Sequence, residues 1–180
     1  MQDGAQPRFP AKARHRTGLR PEQARLGRPS PGRALLRRDW KDLMLHQAAK
    51  IAEQAHRGQK DKTGQPYIEH LRRVADAVET LDEKTVAYLH DVVEKGNGWS
   101  LDRLHEAGFS LTVVAAVDAL TKRMDESEEG SIFRAASNEL ALPVKIADLR
   151  DNLWQAHQAG VAPDRYETGL GILGDLAARD

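Results

Sequence analysis

The chain has 180 residues, with 27 Lys/Arg balanced by 27 Asp/Glu, 40% hydrophobic residues and no cysteine. That length and apolar content allow one hydrophobic core, while the lack of cysteine excludes a disulfide framework and any thiolate metal site. No apolar run approaches the roughly 20 residues that cross a bilayer, and the basic N-terminus lacks the apolar middle of a secretory signal, so a soluble cytoplasmic protein is expected.

The charge balance hides an asymmetry. Residues 1–40 hold ten Lys/Arg, three Asp/Glu and five of the eight prolines. They lack helical periodicity until about Arg33 and read as a disordered basic extension, 1–40, ahead of one folded domain, 41–180. With almost no aromatic residues, the extension offers little beyond attraction to phosphate, so nucleic acid is not an expected partner.

From residue 42 the pattern is helical. Met44, Ala48, Ile51, Ala52 and Ala55 share one face of a first helix. A polar turn at 59–66 ends in Pro66, suited to a helix start, and Tyr67, Leu71, Val74, Ala75 and Val78 define the second helix. Asp82 is placed to cap a third, read as running through the stretch Thr85-Val86-Ala87-Tyr88-Leu89-His90-Asp91-Val92-Val93-Glu94. Ser100 caps a short fourth and Ser110 a fifth carrying Val113, Val114, Val117 and Leu120. The acidic run 125–130 superficially suggests a calcium loop, but its twelfth position is Ala136 in place of the required glutamate, so it reads as a solvated, mobile connection. A sixth helix is expected over 132–139. The seventh follows Pro143 with Ile146, Leu149 and Leu153 on one side, and the last covers about 163–178. No strand alternation competes, so the expected fold is all-α, a single bundle of about seven to eight helices.

Polar residues on these helices suggest chemistry. Val86, Leu89, His90 and Val93 recur at i, i+3, i+4 and i+7, which puts His90 on a core-facing side. A buried imidazole needs a partner, either a hydrogen-bonding group or a metal. His70 sits at the margin of the second helix's apolar stripe. Asp91 adjoins His90, Glu94 lies four residues beyond it, and Asp148 lies off the apolar stripe of its helix with Asn152 one turn further on. Two histidines and two aspartates form a nitrogen and oxygen set suited to a divalent ion such as manganese, iron or zinc, assembled from facing helices.

Several separated blocks then carry a resemblance. Ala55-His56-Arg57-Gly58-Gln59, Gly64-Gln65-Pro66-Tyr67-Ile68-Glu69-His70, Leu89-His90-Asp91-Val92-Val93-Glu94 and Lys145-Ile146-Ala147-Asp148 followed by Asn152 resemble, in order, the signature of the HD-domain metal-dependent phosphohydrolases of the RelA/SpoT hydrolase type. The similar region runs from about 44 to 155. The resemblance implies one metal, usually manganese, held by His70, His90, Asp91 and Asp148, with Glu94 and Asp91 as catalytic carboxylates and Glu94 steering the attacking water. It implies hydrolysis of the 3′-diphosphate of ppGpp or pppGpp. Such a polyanion needs cations nearby: Lys62 is the first candidate, Asn152 would hydrogen-bond the nucleotide, Lys122, Arg134 and Lys145 could meet diphosphate oxygens, and Tyr166 could flank the nucleotide. His56 reads as a packing residue that supports the loop, and His46, His105 and His157 as surface or packing residues.

The chain departs from this pattern at Lys95, where the long enzymes usually place a second acid, at Asp61, where an arginine often packs against the base, and at Leu149-Arg150-Asp151. Three readings therefore stay open: a small (p)ppGpp hydrolase without a synthetase half, for which 180 residues leave no room; an HD phosphohydrolase acting on another nucleotide; and a degenerate helical module that binds a nucleotide or a partner protein. The oligomeric state is not legible.

Overall fold

The computed structural model describes residues 31–178. Within them the regular elements are helices: α1 (Pro31–Ala55), α2 (Tyr67–Asp76), α3 (Leu81–Leu89), α4 (Val92–Lys95), α5 (Leu101–Glu106), α6 (Leu111–Leu120), α7 (Glu128–Ala136), α8 (Ala141–Ala159) and α9 (Asp164–Ala177). The all-α expectation holds, and the count rises to nine because one expected helix is two. Residues 31–40, read from sequence as part of the extension, belong to α1; residues 1–30 lie outside the described residues. No helix among the described residues is long and apolar enough to cross a membrane.

The broken helix matters most. The stretch expected to continue through Glu94 stops at Leu89, His90 caps it, and Asp91, at φ −101° and ψ −5°, turns the chain before α4. The His90 imidazole donates back to the Ala87 carbonyl at 2.7 Å, a local bond that favours ending a helix. Glu94 consequently belongs to a new helix, α4. At the other end of α3 the cap is Thr80, not Asp82. The Glu83 N–H donates to the Thr80 hydroxyl and the Thr80 N–H donates to the Glu83 carboxylate, a reciprocal capping box. Asp82 falls in the first turn, where its charge suits the helix dipole, and pairs with Lys41 of α1 at 2.6 Å.

Two further boundaries differ from expectation. Ser127 accepts from the Gly130 N–H and starts α7 inside the acidic run, with Glu128 and Glu129 in its first turn. The second half of that run is therefore a helix start. Helix α8 begins two residues before Pro143, which a first turn tolerates because the missing N–H has no intrahelical partner there. Asn138 accepts from the N–H groups of Leu140 and Ala141, and α8 ends at Gly160 in the left-handed region, φ +65°.

Helix α3 lies at the centre, packed on α1, α2, α6 and α8. Val86 and Leu89 are fully buried among Ala48, Ala52, Leu71, Val74, Val117 and Val144. A second cluster, Ile132, Leu149, Ala156, Tyr166 and Leu173, joins α7, α8 and α9. Enclosing α3 in this way carries His90 and Asp91 to the middle of the bundle, beside α2 and α8.

Close approach fixes one residue near that junction. A Cβ on Gly96 would lie 2.4 Å from the Val92 carbonyl oxygen and 2.9 Å from the Ala55 Cβ, whereas one on Gly171, exposed in α9, would meet nothing. Gly96→Ala is expected to cost about 1–3 kcal/mol through overpacking, and Gly171→Ala to add about 0.5–1 kcal/mol through helix propensity. Urea unfolding of both variants checks this, and shifts of the same sign would contradict the packing described.

Candidate metal centre

Four side chains from three regions converge. His70 projects from the first turn of α2, His90 and Asp91 from the α3–α4 junction, and Asp148 from the middle of α8. The His70 Nε2 lies 3.4 Å from Asp148 Oδ1 and 3.9 Å from Asp91 Oδ2. The His90 Nε2 lies 3.6 Å from Asp148 Oδ1 and 3.3 Å from Asp91 Oδ2. One ligand atom from each of His70, His90 and Asp91 falls within 4.8 Å of the others. Donors held about 2.1 Å from a common ion sit about 3.4 Å apart in a tetrahedron, so these separations are compatible with ligation of one ion.

The opposite ring nitrogens explain the orientation. His70 Nδ1 donates to Asp151 Oδ2 at 2.6 Å, and His90 Nδ1 donates to the Ala87 carbonyl. With both Nδ1 protons engaged, each neutral ring keeps its lone pair on Nε2, and both Nε2 atoms are buried without a hydrogen-bond partner. Two orphaned nitrogens facing two carboxylates fit a divalent cation. Without one, burial opposes charge on His90, but Asp91 and Asp148 outweigh it and push the imidazole up to about 10. Burial likewise opposes ionisation of Asp91 and Asp148, and the facing histidines hold both carboxyls below their usual range.

A cleft of about 260 Å³ opens beside these residues, lined by Lys62, Asp91, Glu94, Lys95, Lys122, Lys145, Asp148, Asn152, Arg165 and Tyr166 among others. It gathers every sequence-derived candidate for catalysis or substrate contact except Arg134. Glu94 accepts from the Lys122 N–H at 3.0 Å, which fixes its carboxylate at the cleft edge. Asn152 donates to Asp148 Oδ1 at 2.6 Å and accepts from Lys62 Nζ, whose ammonium lies 5.2 Å from the Tyr166 ring centroid. Lys145 Nζ is 3.5 Å from Asp148 Oδ2. Arg134 corrects the expectation. Its guanidinium donates to Glu126 and to the carbonyls of Asp118 and Thr121, pinning the segment ahead of α7 rather than facing the cleft. A larger groove of about 550 Å³ between α1 and α2 contains none of the four converging side chains.

The departures from the expected pattern have structural roles. Lys95 Nζ donates to Asp91 Oδ2 at 2.9 Å and to the Tyr67 hydroxyl at 2.8 Å, and that hydroxyl donates to Asp91 in turn. Asp61 is buried: its Oδ1 accepts from the N–H groups of Thr63 and Gln65, and its Oδ2 accepts from Arg73 at 2.9 Å. His56 packs on Tyr67 with ring centroids 4.8 Å apart and bonds to Gln59, outside the converging set as expected.

The sequence alone assigns no role at the site to Tyr67, Arg73, Asp151, Gln155 or Arg165. A signal existed for two of them. Asp148, Asp151, Asn152 and Gln155 repeat at i, i+3, i+4 and i+7, a polar stripe on an otherwise amphipathic helix.

A family model described as HD domain matches residues 48–153, a span containing all four converging side chains. The chain is 34% identical over 110 residues to the putative GTP diphosphokinase RSH1, chloroplastic, of Oryza sativa subsp. japonica, covering 59% of this chain and 12% of that protein. It is 32% identical over 123 residues to the GTP pyrophosphokinase of Streptomyces coelicolor, covering 61% of this chain and 14% of that protein. The matched region thus spans about one eighth of the length of these relatives. A solved structure described as "A metazoan ortholog of SpoT hydrolyzes ppGpp and plays a role in starvation responses" shares the fold, with a TM-score of 0.58 at 23% identity, covering 73% of this chain and 82% of that one.

Protons and a divalent ion compete for the same Nε2 atoms. Because the carboxylates hold a proton on His90 up to about pH 10 in the metal-free protein, affinity for Mn²⁺ is expected to fall as pH drops from alkaline values, by about tenfold per unit for each proton displaced. Calorimetry in buffers of different ionisation enthalpy measures the protons released, and binding that releases none would contradict the ligand set.

Proposed function

Because this chain belongs to the HD-domain family, we propose that it is a metal-dependent phosphohydrolase that removes the 3′-diphosphate of ppGpp or pppGpp, yielding GDP or GTP and pyrophosphate. The observation that carries this reading is the pair of orphaned Nε2 atoms facing Asp91 and Asp148 at the edge of a cleft holding Lys62, Lys95, Lys122, Lys145 and Arg165. The similar metazoan structure, described as that of a ppGpp hydrolase, agrees with it.

His70, His90, Asp91 and Asp148 would hold the ion, which we take to be Mn²⁺. When bound, a divalent cation polarises the phosphoryl group under attack and acidifies water. The chain supplies the rest. Glu94, exposed at the cleft edge and anchored by the Lys122 N–H, takes the proton of the attacking water. Water adds across the bond between the ribose 3′-oxygen and phosphorus, its hydroxyl going to the departing diphosphate and a proton to the ribose oxygen. Lys62 and Arg165, both beside the Tyr166 ring, and Lys122 and Lys145 offset the substrate's charge. Asn152, bonded to both Asp148 and Lys62, would hydrogen-bond the nucleotide sugar.

A second reading is favoured by Asp61. Its carboxylate is turned inward to Arg73, so this position offers no cation to stack on a base. That arrangement suits an HD phosphohydrolase with a different nucleotide preference.

The test is release of pyrophosphate from ppGpp by metal-stripped protein, with and without Mn²⁺, beside a panel of ordinary nucleotides. Conversion of ppGpp that requires Mn²⁺ supports the first reading, and turnover confined to another nucleotide supports the second. The double change of His90 and Asp91 to Ala is expected to abolish metal-dependent turnover. Glu94→Gln is expected to retain metal while losing about 10²–10⁴ in rate, and unchanged turnover would remove Glu94 from the mechanism.

A further inference from the structure

Asp151 lies on α8, one turn beyond Asp148, with its carboxylate directed at α2. Oδ2 accepts from His70 Nδ1 at 2.6 Å, from Gln155 Nε2 at 2.6 Å and from Arg73 Nη2 at 3.1 Å, while Oδ1 accepts from Arg73 Nε at 2.5 Å. Two of these partners continue to one place. Arg73 Nη2 also reaches Asp61 Oδ2, and Asp61 Oδ1 organises the turn at 61–65 through Thr63 and Gln65. Gln155, 1% exposed, accepts the Lys62 N–H on its Oε1 at 3.0 Å. The turn that carries Lys62 is thus tied to Asp151 by two routes, one on each side.

We propose that Asp151 is a positioning residue: it aims the His70 imidazole at the metal and, through Arg73 and Gln155, keeps the Lys62 turn in register with that imidazole. The proposal rests on the metal-centre reading above. Its physical basis is the tautomer. A carboxylate can only accept, so it holds the proton on Nδ1 and leaves Nε2 free to ligate. A leucine in its place offers no acceptor. The polar group left beside Nδ1 is then Gln155 Nε2, 3.2 Å away, which donates, so Nδ1 becomes the acceptor and the ring proton moves to Nε2, where it blocks the metal. The Arg73 fork spans both Asp151 oxygens, Nε on Oδ1 and Nη2 on Oδ2, and is held over the Trp154 ring, 4.9 Å from the centroid, which fixes the carboxylate that faces His70.

The experiment compares wild type, Asp151→Leu and Arg73→Lys. Mn²⁺ affinity is measured by equilibrium dialysis, the His70 tautomer by ¹⁵N NMR of the metal-free protein at alkaline pH, and folding by circular dichroism. Asp151→Leu is expected to keep the helical spectrum, to weaken Mn²⁺ about 10- to 100-fold and to move the His70 proton from Nδ1 to Nε2. Arg73→Lys keeps the charge but loses the fork, and is expected to weaken Mn²⁺ several-fold. Wild-type affinity together with an unchanged tautomer in Asp151→Leu would overturn the proposal. If Asp151→Leu does not fold, unchanged affinity in Arg73→Lys overturns it instead. A wild type that binds no Mn²⁺ removes the metal reading, and the tautomer measurement still decides what Asp151 does to His70.

Discussion

Of three buried imidazoles whose Nδ1 is bonded and whose Nε2 has no hydrogen-bond partner, His70 and His90 turn their Nε2 atoms toward Asp91 and Asp148, and that pairing imposes the main constraint on this molecule. A buried nitrogen without a partner is unfavourable, and buried carboxylates beside it are more so unless a cation or proton compensates. The rest of the bundle is arranged around that arrangement. Helix α3 stops at Leu89 so that His90 can turn inward, α2 begins just before His70, and α8 supplies Asp148 on one turn and Asp151 on the next. The apolar packing of α3 against α1, α2, α6 and α8 gives these termini their rigidity.

Charge is distributed with the same economy. Lys95 stands where the resembled enzymes carry an acid, and here it leans on Asp91 and Tyr67, so the cleft gains positive potential on the side nearest the ligand set. Asp61 stands where an arginine is usual and turns inward to Arg73, exchanging a possible base contact for a rigid turn under Lys62. Both substitutions belong to networks that include a converging side chain or its support.

Much of this was legible in the sequence, for identifiable reasons. Spacing of apolar residues located most helices, because burial on one face leaves a 3.6-residue period, and Met44, Ala48, Ile51, Ala52 and Ala55 are all buried as that spacing requires. His70, His90, Asp91 and Asp148 were read as a set, and the fold brings them together. The break at His90 is not legible, because Val86 to Val93 fits a continuous helix and apolar spacing does not show the rotamer that lets the His90 ring bond to the Ala87 carbonyl. Arg134 was misread for a related reason. A lone arginine does not show whether its acceptors are a substrate's oxygens or, as here, Glu126 and two carbonyls. Asp151 stands out in the sequence only as a departure from the resembled pattern, because its role depends on α2 lying alongside α8, which local pattern does not specify.

We propose that His70, His90, Asp91 and Asp148 hold a single divalent ion, and anomalous diffraction from crystals grown with Mn²⁺ would locate it. One peak is expected about 2.0–2.3 Å from His70 Nε2, His90 Nε2 and one oxygen of each aspartate. A map with no peak there, and with the two Nε2 atoms hydrogen-bonded to the carboxylates instead, would contradict it.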